Sequence, residues 1–425
     1  MIYLAVLLLV PVGFYKMPSG LPFDLQLDRI VAFSIFLLWL ASLLVNPKMK
    51  LAKSPVHSAV LAFAGIVFLS FALNMQELTE SARFADAVKR LFYVIVLALL
   101  FYFAASTIRS NEQIDAVIKF SISIVVIISL FCMVEFLTSF NVFRHLHEVF
   151  PFLIPSAEKI GNVMHRGGHI RVTGSADHPI ALGVLLALFL PLALHYFEFA
   201  KRPGERAKYG LSLAIISLAM LMTVSRTPIV AIVAMLGVYY LYKPANALKF
   251  GIILLLVAFI VHMAFPGVLG GLRTFFSPSF LSKKEISNPY GRVADHPKMM
   301  SFFMERPLYG RGYGWWDNDA LFYVDNQYLK ILVELGTLGI LALGWLFYRS
   351  AKEIWTAAAN APPKDKDLLI AILSSCIAYM VTLVTYDSFG YAQVTYLFFI
   401  ILALGVSLAS RIQNRYPVTD RLSGG

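Results

Sequence analysis

About twelve long apolar runs occupy most of this 425-residue chain and restrict it to a membrane fold. They lie near 1–15, 30–46, 56–73, 91–107, 117–138, 179–199, 210–224, 228–243, 249–265, 326–348, 368–385 and 391–409. A helix needs roughly 20 mainly apolar residues to cross about 30 Å of hydrocarbon. Hydrocarbon offers no water to unpaired backbone, so the spans must be helices and chemistry belongs where they stop. The expected fold is an all-α polytopic membrane protein of about twelve transmembrane helices. The first run has no basic segment before it and no clear small-residue cleavage site, so it reads as a span rather than a signal peptide.

Net charge is +11, yet nucleic acid is the wrong inference. The basic residues follow the pattern that keeps Lys and Arg on the cytoplasmic side. Loops carrying Lys48, Lys50 and Lys53, then Lys201, Arg202, Arg206 and Lys208, then Lys243 and Lys249, then Arg349, Lys352, Lys364 and Lys366 share one parity. The tail with Arg411, Arg415 and Arg421 agrees. Both termini are therefore expected inside. The organisation reads as spans over 1–265 with an outer loop at 139–178, an outer insertion at 266–325, spans over 326–410, and a cytoplasmic tail at 411–425.

Polar residues gather on the outer side in the run from Arg166 to Pro179, RGGHIRVTGSADHP, at Ser225-Arg226, and from Pro266 to Asn326. Arg166, Arg171, Arg226, Arg292 and Arg311 all fall there, where basic residues are disfavoured. Arg suits a pyrophosphate ligand, because its planar fork donates paired hydrogen bonds and stays charged. The plainer role for each is snorkelling to headgroups or pairing with an acid. Asp325 stands at the membrane surface before a helix, as a general base or as an N-cap. Tyr328 lies one turn further on. His178 precedes Pro179 and is also placed to cap a helix, and His169 sits in the Gly-rich loop. Asp317-Asn-Asp319 has the form of a metal-diphosphate pair but faces away from the cytoplasm. No phosphate-binding P-loop and no nucleophile elbow occurs. Cys132 and Cys376 lie within apolar runs and read as small buried hydrophobes.

Four segments in order resemble the O-antigen ligase and O-antigen polymerase superfamily. Arg171-Val-Thr-Gly-Ser-Ala-Asp-His-Pro-Ile-Ala-Leu-Gly183 resembles its R-x-x-G-[TS]-x-x-[HN]-P-N-x-x-G signature. Met222-Thr-Val-Ser-Arg-Thr-Pro228 is similar to its T-x-S-R turn. Gly291-Arg292 with Pro307-Leu-Tyr-Gly-Arg-Gly-Tyr-Gly314 resembles its P-[LI]-x-G-x-G-x-G segment. The helix from Asp325-Asn326-Gln-Tyr328 to Gly339 resembles its [HD]-N-x-Y-L-x-x-L-x-E-x-G-x-x-G segment. The resemblance implies a GT-C-like glycosyltransferase of the bacterial inner membrane with its active site facing the periplasm. Such enzymes take glycan from undecaprenyl pyrophosphate without metal or other cofactor. They pass it to a hydroxyl of a glycan, lipid A-core or protein. Arg171 and Arg226 are implied to hold the pyrophosphate, with Arg292 and Arg311 contributing. Asp325 is implied to be the base, with Tyr328 beside it and His169, His178 and Asn326 in auxiliary roles. A flippase or chain-length regulator is the expected protein partner.

Two departures matter. Asp325 stands where ligases of this kind carry His, and Ile180 follows Pro179 where Asn is common. The Asp resembles polymerases of O-antigen or exopolysaccharide repeat units more than ligases. A transporter would need charged, repeat-related half-helices in the membrane, and no internal repeat is evident. A purely structural protein would leave the outer arginines without a role.

Overall fold

The computed structural model describes residues 1–18, 26–46, 54–108, 110–156, 164–166, 169–245, 295–316, 321 and 323–415, with scattered positions between 248 and 263. The helices described are α1 (Ile2–Leu9), α2 (Leu27–Val45), α3 (Pro55–Leu73), α4 (Met75–Glu80), α5 (Phe84–Thr107), α6 (Asn111–Thr138), α7 (Leu146–Val149), α8 (Pro179–Glu198), α9 (Pro203–Met222), α10 (Thr227–Tyr242), α11 (Asp295–Glu305), α12 (Gln327–Asn360), α13 (Pro363–Thr382) and α14 (Ala392–Arg415). Two short antiparallel ribbons pair β1 (Tyr15–Lys16) with β2 (Ile154–Pro155) and β3 (His165–Arg166) with β4 (His169–Ile170).

The all-α polytopic expectation holds. Seven of the described helices, α2, α3, α5, α6, α8, α12 and α14, are long and apolar enough to cross a membrane. The apolar α10 has 16 residues, about 24 Å at 1.5 Å per residue. Helices α9 and α13, of 20 residues each, pack with α8 and α10 in the same bundle. One expected span needs correction. The run 1–15 forms only the eight-residue α1, about 12 Å long. Pro11 supplies no amide hydrogen to continue it and Gly13 turns the chain at φ 83°. The chain then pairs as β1 rather than crossing. The run 249–265 and residues 264–294 lie largely outside the described residues, as does the tail beyond Arg415.

Local chemistry starts the helices where polar loops end. Ser54 accepts the Val56 amide ahead of Pro55, and Ser110 and Gln113 exchange bonds in a capping box. Proline occupies the first turn of α8, α9, α10 and α13, where its missing donor costs nothing. Burial then sorts the helices. In α8 and α14, 89% and 94% of the apolar window is buried, so they form the centre, whereas α2 at 22% turns Phe33, Leu38 and Leu44 outward.

Chain direction sorts the loops to two ends. At one end the Tyr15 hydroxyl donates to the Phe143 carbonyl (2.9 Å), the Gln327 amide to the Leu383 carbonyl (2.8 Å), and the Gln393 side chain to the Ser175 carbonyl (3.3 Å). Phe143 is buried in that packing, while Phe150 and Phe152 remain exposed. At the other end Lys364 meets Asp115 (3.0 Å), and buried His195 meets Asp367, which also pairs with Lys243. Among the described residues, the basic positions at Lys243 and Lys364 thus share one end, and the 171–178, 223–226 and 307–312 segments the other.

Helix α12 is broken at Gly336, where φ 67° and ψ −163° leave the helical region. A break frees backbone groups that lipid cannot satisfy. The 307–312 loop satisfies them: the Arg311 and Gly312 amides donate to the Val333 and Glu334 carbonyls (both 3.0 Å). The Thr337 and Leu338 amides donate to the Pro307 and Leu308 carbonyls (2.8 and 3.2 Å). A Cβ on Gly336 would lie 2.4 Å from the Leu308 oxygen, and one on Gly310 2.3 Å from the Glu334 carbonyl carbon. Gly336→Ala is therefore expected to destabilise the protein by more than the about 1–3 kcal/mol of its backbone conformation alone. Gly344→Ala, on the same helix with nothing within 4 Å of a new Cβ, should leave stability unchanged or slightly raised. Thermal unfolding of the two variants in detergent compares them directly.

Candidate functional site

The loop bearing Arg171 is held from below by a buried carboxylate. Glu135, near the end of α6, accepts the Thr173 amide (3.0 Å) and hydroxyl (3.1 Å) and the Gly174 amide (2.8 Å). The Asn141 amide donates to the Thr173 hydroxyl and the Gly174 carbonyl. Gly174 has φ +52°, and a Cβ there would sit 2.8 Å from the Cys132 sulfur. The loop therefore has one available course. It delivers Arg171, 9% exposed, onto the turn between α9 and α10. The Arg171 guanidinium donates to the Thr223 carbonyl (3.3 Å) and the Ser225 hydroxyl (2.8 Å), and the Val172 amide to the Met222 carbonyl (3.4 Å). That turn carries Val224 in a left-handed conformation (φ 47°), and Arg226 begins α10 as its N-cap residue. Arg171 and Arg226 are thus carried by segments that bond to each other, at a helix N-terminus whose partial positive charge favours anions.

A second group of residues stands at the entry to α12. Asn326, not Asp325, caps that helix: its side chain accepts the Leu329 amide at 3.1 Å. The capping role open to Asp325 in sequence is therefore filled by its neighbour. Asp325 is half-buried, and its charge acts on the Tyr391 hydroxyl together with those of Asp387 and Asp177. Burial, then these carboxylates, raise the Tyr391 pKa, so the phenol stays protonated and can donate. Tyr391 and Asp177 line a cavity of about 300 Å³ with Arg29, Gln26, Gln393 and Gly390. The Tyr328 hydroxyl donates to the Met380 carbonyl (2.6 Å), tying α12 to α13. The His178 Nδ1 accepts the Ile180 amide (3.1 Å), so this histidine caps α8, with its ring 5.7 Å from that of Tyr391.

Other expected residues are used differently. Arg311 pairs with Glu77 (2.8 Å) and with Glu305, and its guanidinium lies 4.5 Å from the Trp315 ring centre. That network pins α11 and the 310–316 loop to α4. Its side chain is thus committed to carboxylates and an aromatic face. Arg292, Asp317 and Asp319 lie outside the described residues. His169 is described as part of β4, opposite Arg166. Among the described residues no three His, Cys, Asp or Glu side chains stand together as a metal site.

The structure also adds residues to the site. Lys330 is 1% exposed and pairs with Asp387 at 2.7 Å. A lysine inside an apolar run is by default a sign of function, and that signal was present in Tyr-Leu-Lys330-Ile-Leu. Arg29, Asp177 and Tyr391 carried no comparable signal, because each belongs to a separate loop or helix start.

Residues 211–344, about a third of the chain, match the family profile of the O-antigen ligase. The match supports the O-antigen ligase and polymerase superfamily. It covers the 223–226 turn, the 307–314 loop, Asp325 and the break in α12; Arg171 precedes it. It supports a ligase- or polymerase-type function in general, in a multi-pass membrane protein acting on a glycan or lipid-linked substrate. No curated protein matches the chain.

The division of labour between Asp325 and Asn326 is measurable without substrate. Asn326→Ala should lower stability by about 1 kcal/mol through loss of the cap. Asp325→Asn, which disturbs no cap, should lower the melting temperature by less than Asn326→Ala does. Differential scanning fluorimetry of both variants checks this.

Proposed function

We propose that the chain is a membrane glycosyltransferase that takes glycan from undecaprenyl pyrophosphate and adds it to an acceptor hydroxyl, as a polymerase of O-antigen or exopolysaccharide repeat units. The observation that carries this reading is the joining of the Arg171 loop to the Ser225-Arg226 turn at the start of α10. In the reaction the acceptor oxygen bonds to the anomeric carbon as the bond from that carbon to the pyrophosphate oxygen breaks. Negative charge grows on the pyrophosphate, and Arg171 and Arg226 stabilise it as fixed cations. The acceptor proton goes to the Asp325 carboxylate, which must come within about 2.6–3.2 Å of the hydroxyl in the reactive pose. The protonated Tyr391 phenol and Asp177 line the cavity beside it and orient the sugar hydroxyls. Arginine supplies the positive charge, so the reading calls for no metal and no other cofactor. The profile match, described as a ligase, favours a second reading in which the same step delivers glycan to lipid A-core; it differs in acceptor alone.

The deciding experiment incubates the purified protein with undecaprenyl-pyrophosphate-linked repeat unit, offered either more repeat unit or lipid A-core, and analyses the products. Chain extension with repeat unit alone supports the polymerase; transfer to lipid A-core alone supports the ligase; no transfer in either overturns the glycosyltransferase reading. Asp325→Asn should reduce turnover by about 10²–10⁴-fold. Arg226→Ala should reduce it by about 10–100-fold or more, as expected for one lost charge-assisted contact. An Arg226→Ala enzyme with parental kinetics would remove that residue from the site.

The same reading puts the site on the periplasmic side of the inner membrane, opposite the basic loops. The two native cysteines are buried. A Tyr323→Cys variant, whose parent residue is 70% exposed, should therefore react with an impermeant thiol reagent from the periplasm and not from the cytoplasm. Labelling from the cytoplasm alone would invert the topology.

A further inference from the structure

At the motif-bearing end of the bundle, the first turns of α5 meet the 314–316 loop around a cavity of about 200 Å³. It is lined by Arg83, Asp86, Lys89, Arg90, Gly314 and Trp316. None of these residues belongs to the Arg171–Arg226 pair or to the Tyr391 cavity. Three cations line this pocket, and the carboxylates of Asp86 and Glu334 stand against two of them, Lys89 and Arg90. Asp86 is paired with Lys89 at 2.9 Å on the exposed rim. Arg90 stands 3.7 Å from Glu334 and donates to the Trp316 carbonyl at 3.3 Å. Arg83 donates to the Trp315 carbonyl at 2.5 Å and lies 4.7 Å over the Trp315 ring. Among the described residues no carboxylate pairs with Arg83. A guanidinium carries five N–H donors in a planar fork, and the protein hydrogen bonds just named use one on each arginine.

The pocket is rigid. Gly314 has φ +92°, and a Cβ there would meet the Ala87 Cα at 2.6 Å, so the loop lies directly on α5. Trp316 is 1% exposed. The Gly314 and Trp316 amides are both held by Glu334, at 3.2 and 3.0 Å. Both arginines are thus fixed before any ligand arrives, which lowers the entropic cost of binding. The volume is below the range of pockets that enclose drug-sized ligands, so a small charged group fits better than a saccharide. Two guanidinium forks beside an ammonium present more N–H donors than a single carboxylate can accept, which suits the several oxygens of a phosphate.

We propose that Arg83, Lys89 and Arg90 form a phosphate-binding pocket that holds the phosphate of an anionic lipid headgroup or of a soluble phosphate-bearing molecule. The proposal is independent of the donor site at Arg171 and Arg226. The test uses full-length protein purified in detergent with two probes. Native mass spectrometry follows binding of phosphatidylglycerol against zwitterionic phosphatidylcholine. Tryptophan fluorescence follows titration with inorganic phosphate, since Trp316 borders the cavity. At least one probe should bind saturably, and Arg83→Gln should weaken it by about tenfold or more. Arg83→Lys, which keeps the charge and loses the fork, should fall between. Lys89→Gln alters a residue 64% exposed in its side chain and keeps the test valid if Arg83→Gln fails to fold. A response to the lipid alone identifies a headgroup, and a response to phosphate a soluble ligand. Binding of both probes unchanged in Arg83→Gln and Lys89→Gln, or absent in the parent, would overturn the proposal.

Discussion

Irregular backbone away from water has to find its hydrogen bonds inside the protein, and the break in α12 shows how that constraint shapes the rest. At Gly336 the helix gives up its internal pairing, and the 307–312 loop takes up both freed carbonyls and both freed amides. Two glycines make the approach close enough, Gly336 on the helix and Gly310 on the loop. Ser70 of α3 adds its hydroxyl to the Tyr309 and Glu334 carbonyls (2.7 and 2.9 Å). The P-L-x-G-x-G-x-G and E-x-G-x-x-G segments are therefore one joint seen from two sides. Their glycines and glutamate are explained by architecture before any catalytic role is considered.

The same device recurs across the bundle. Glu334 holds the amides of Gly314 and Trp316, and Glu135 holds those of Thr173 and Gly174. A buried carboxylate without partners would be costly, and backbone amides are partners that cannot move away. Each acid fixes a glycine-bearing loop, and each loop helps to place guanidinium groups. Glu135 leads to Arg171 at the 223–226 turn, while the loop fixed by Glu334 supplies the carbonyls that receive Arg83 and Arg90. Precision at the surface comes from charges placed a turn below it.

Much of this was legible in the sequence, and the rest was hidden for definable reasons. Apolar periodicity placed the long helices, because a twenty-residue apolar run has few alternatives. It failed at the N-terminus, where Pro11 and Gly13 cut the apolar run into a short helix and a turn. The family resemblance implied that Arg171 and Arg226 share a site, and their segments are bonded. Asp325 could be read as cap or base, since both want a carboxylate before a helix; only geometry showed Asn326 doing the capping. Arg311 matched a motif by position, but its partners Glu77 and Glu305 come from elsewhere in the chain and no local pattern reveals them. Arg29, Asp177 and Tyr391 meet only because α2, α8 and α14 begin at one end of the bundle.

The charge arrangement around Tyr391 explains how several acids can share one end of a membrane bundle. Asp177, Asp325 and Asp387 all act on the same phenol. Three carboxylates so placed would repel one another strongly where water is scarce. Lys330 removes one of them from that balance, since its ammonium is buried and bonded to Asp387 at 2.7 Å. It holds Asp387 at one side of the 387–391 turn, and the Gln327 side chain, one turn earlier on α12, holds the other by accepting the Phe389 amide at 2.7 Å. Lys330 therefore neutralises one acid and, with Gln327, holds the turn that carries Tyr391.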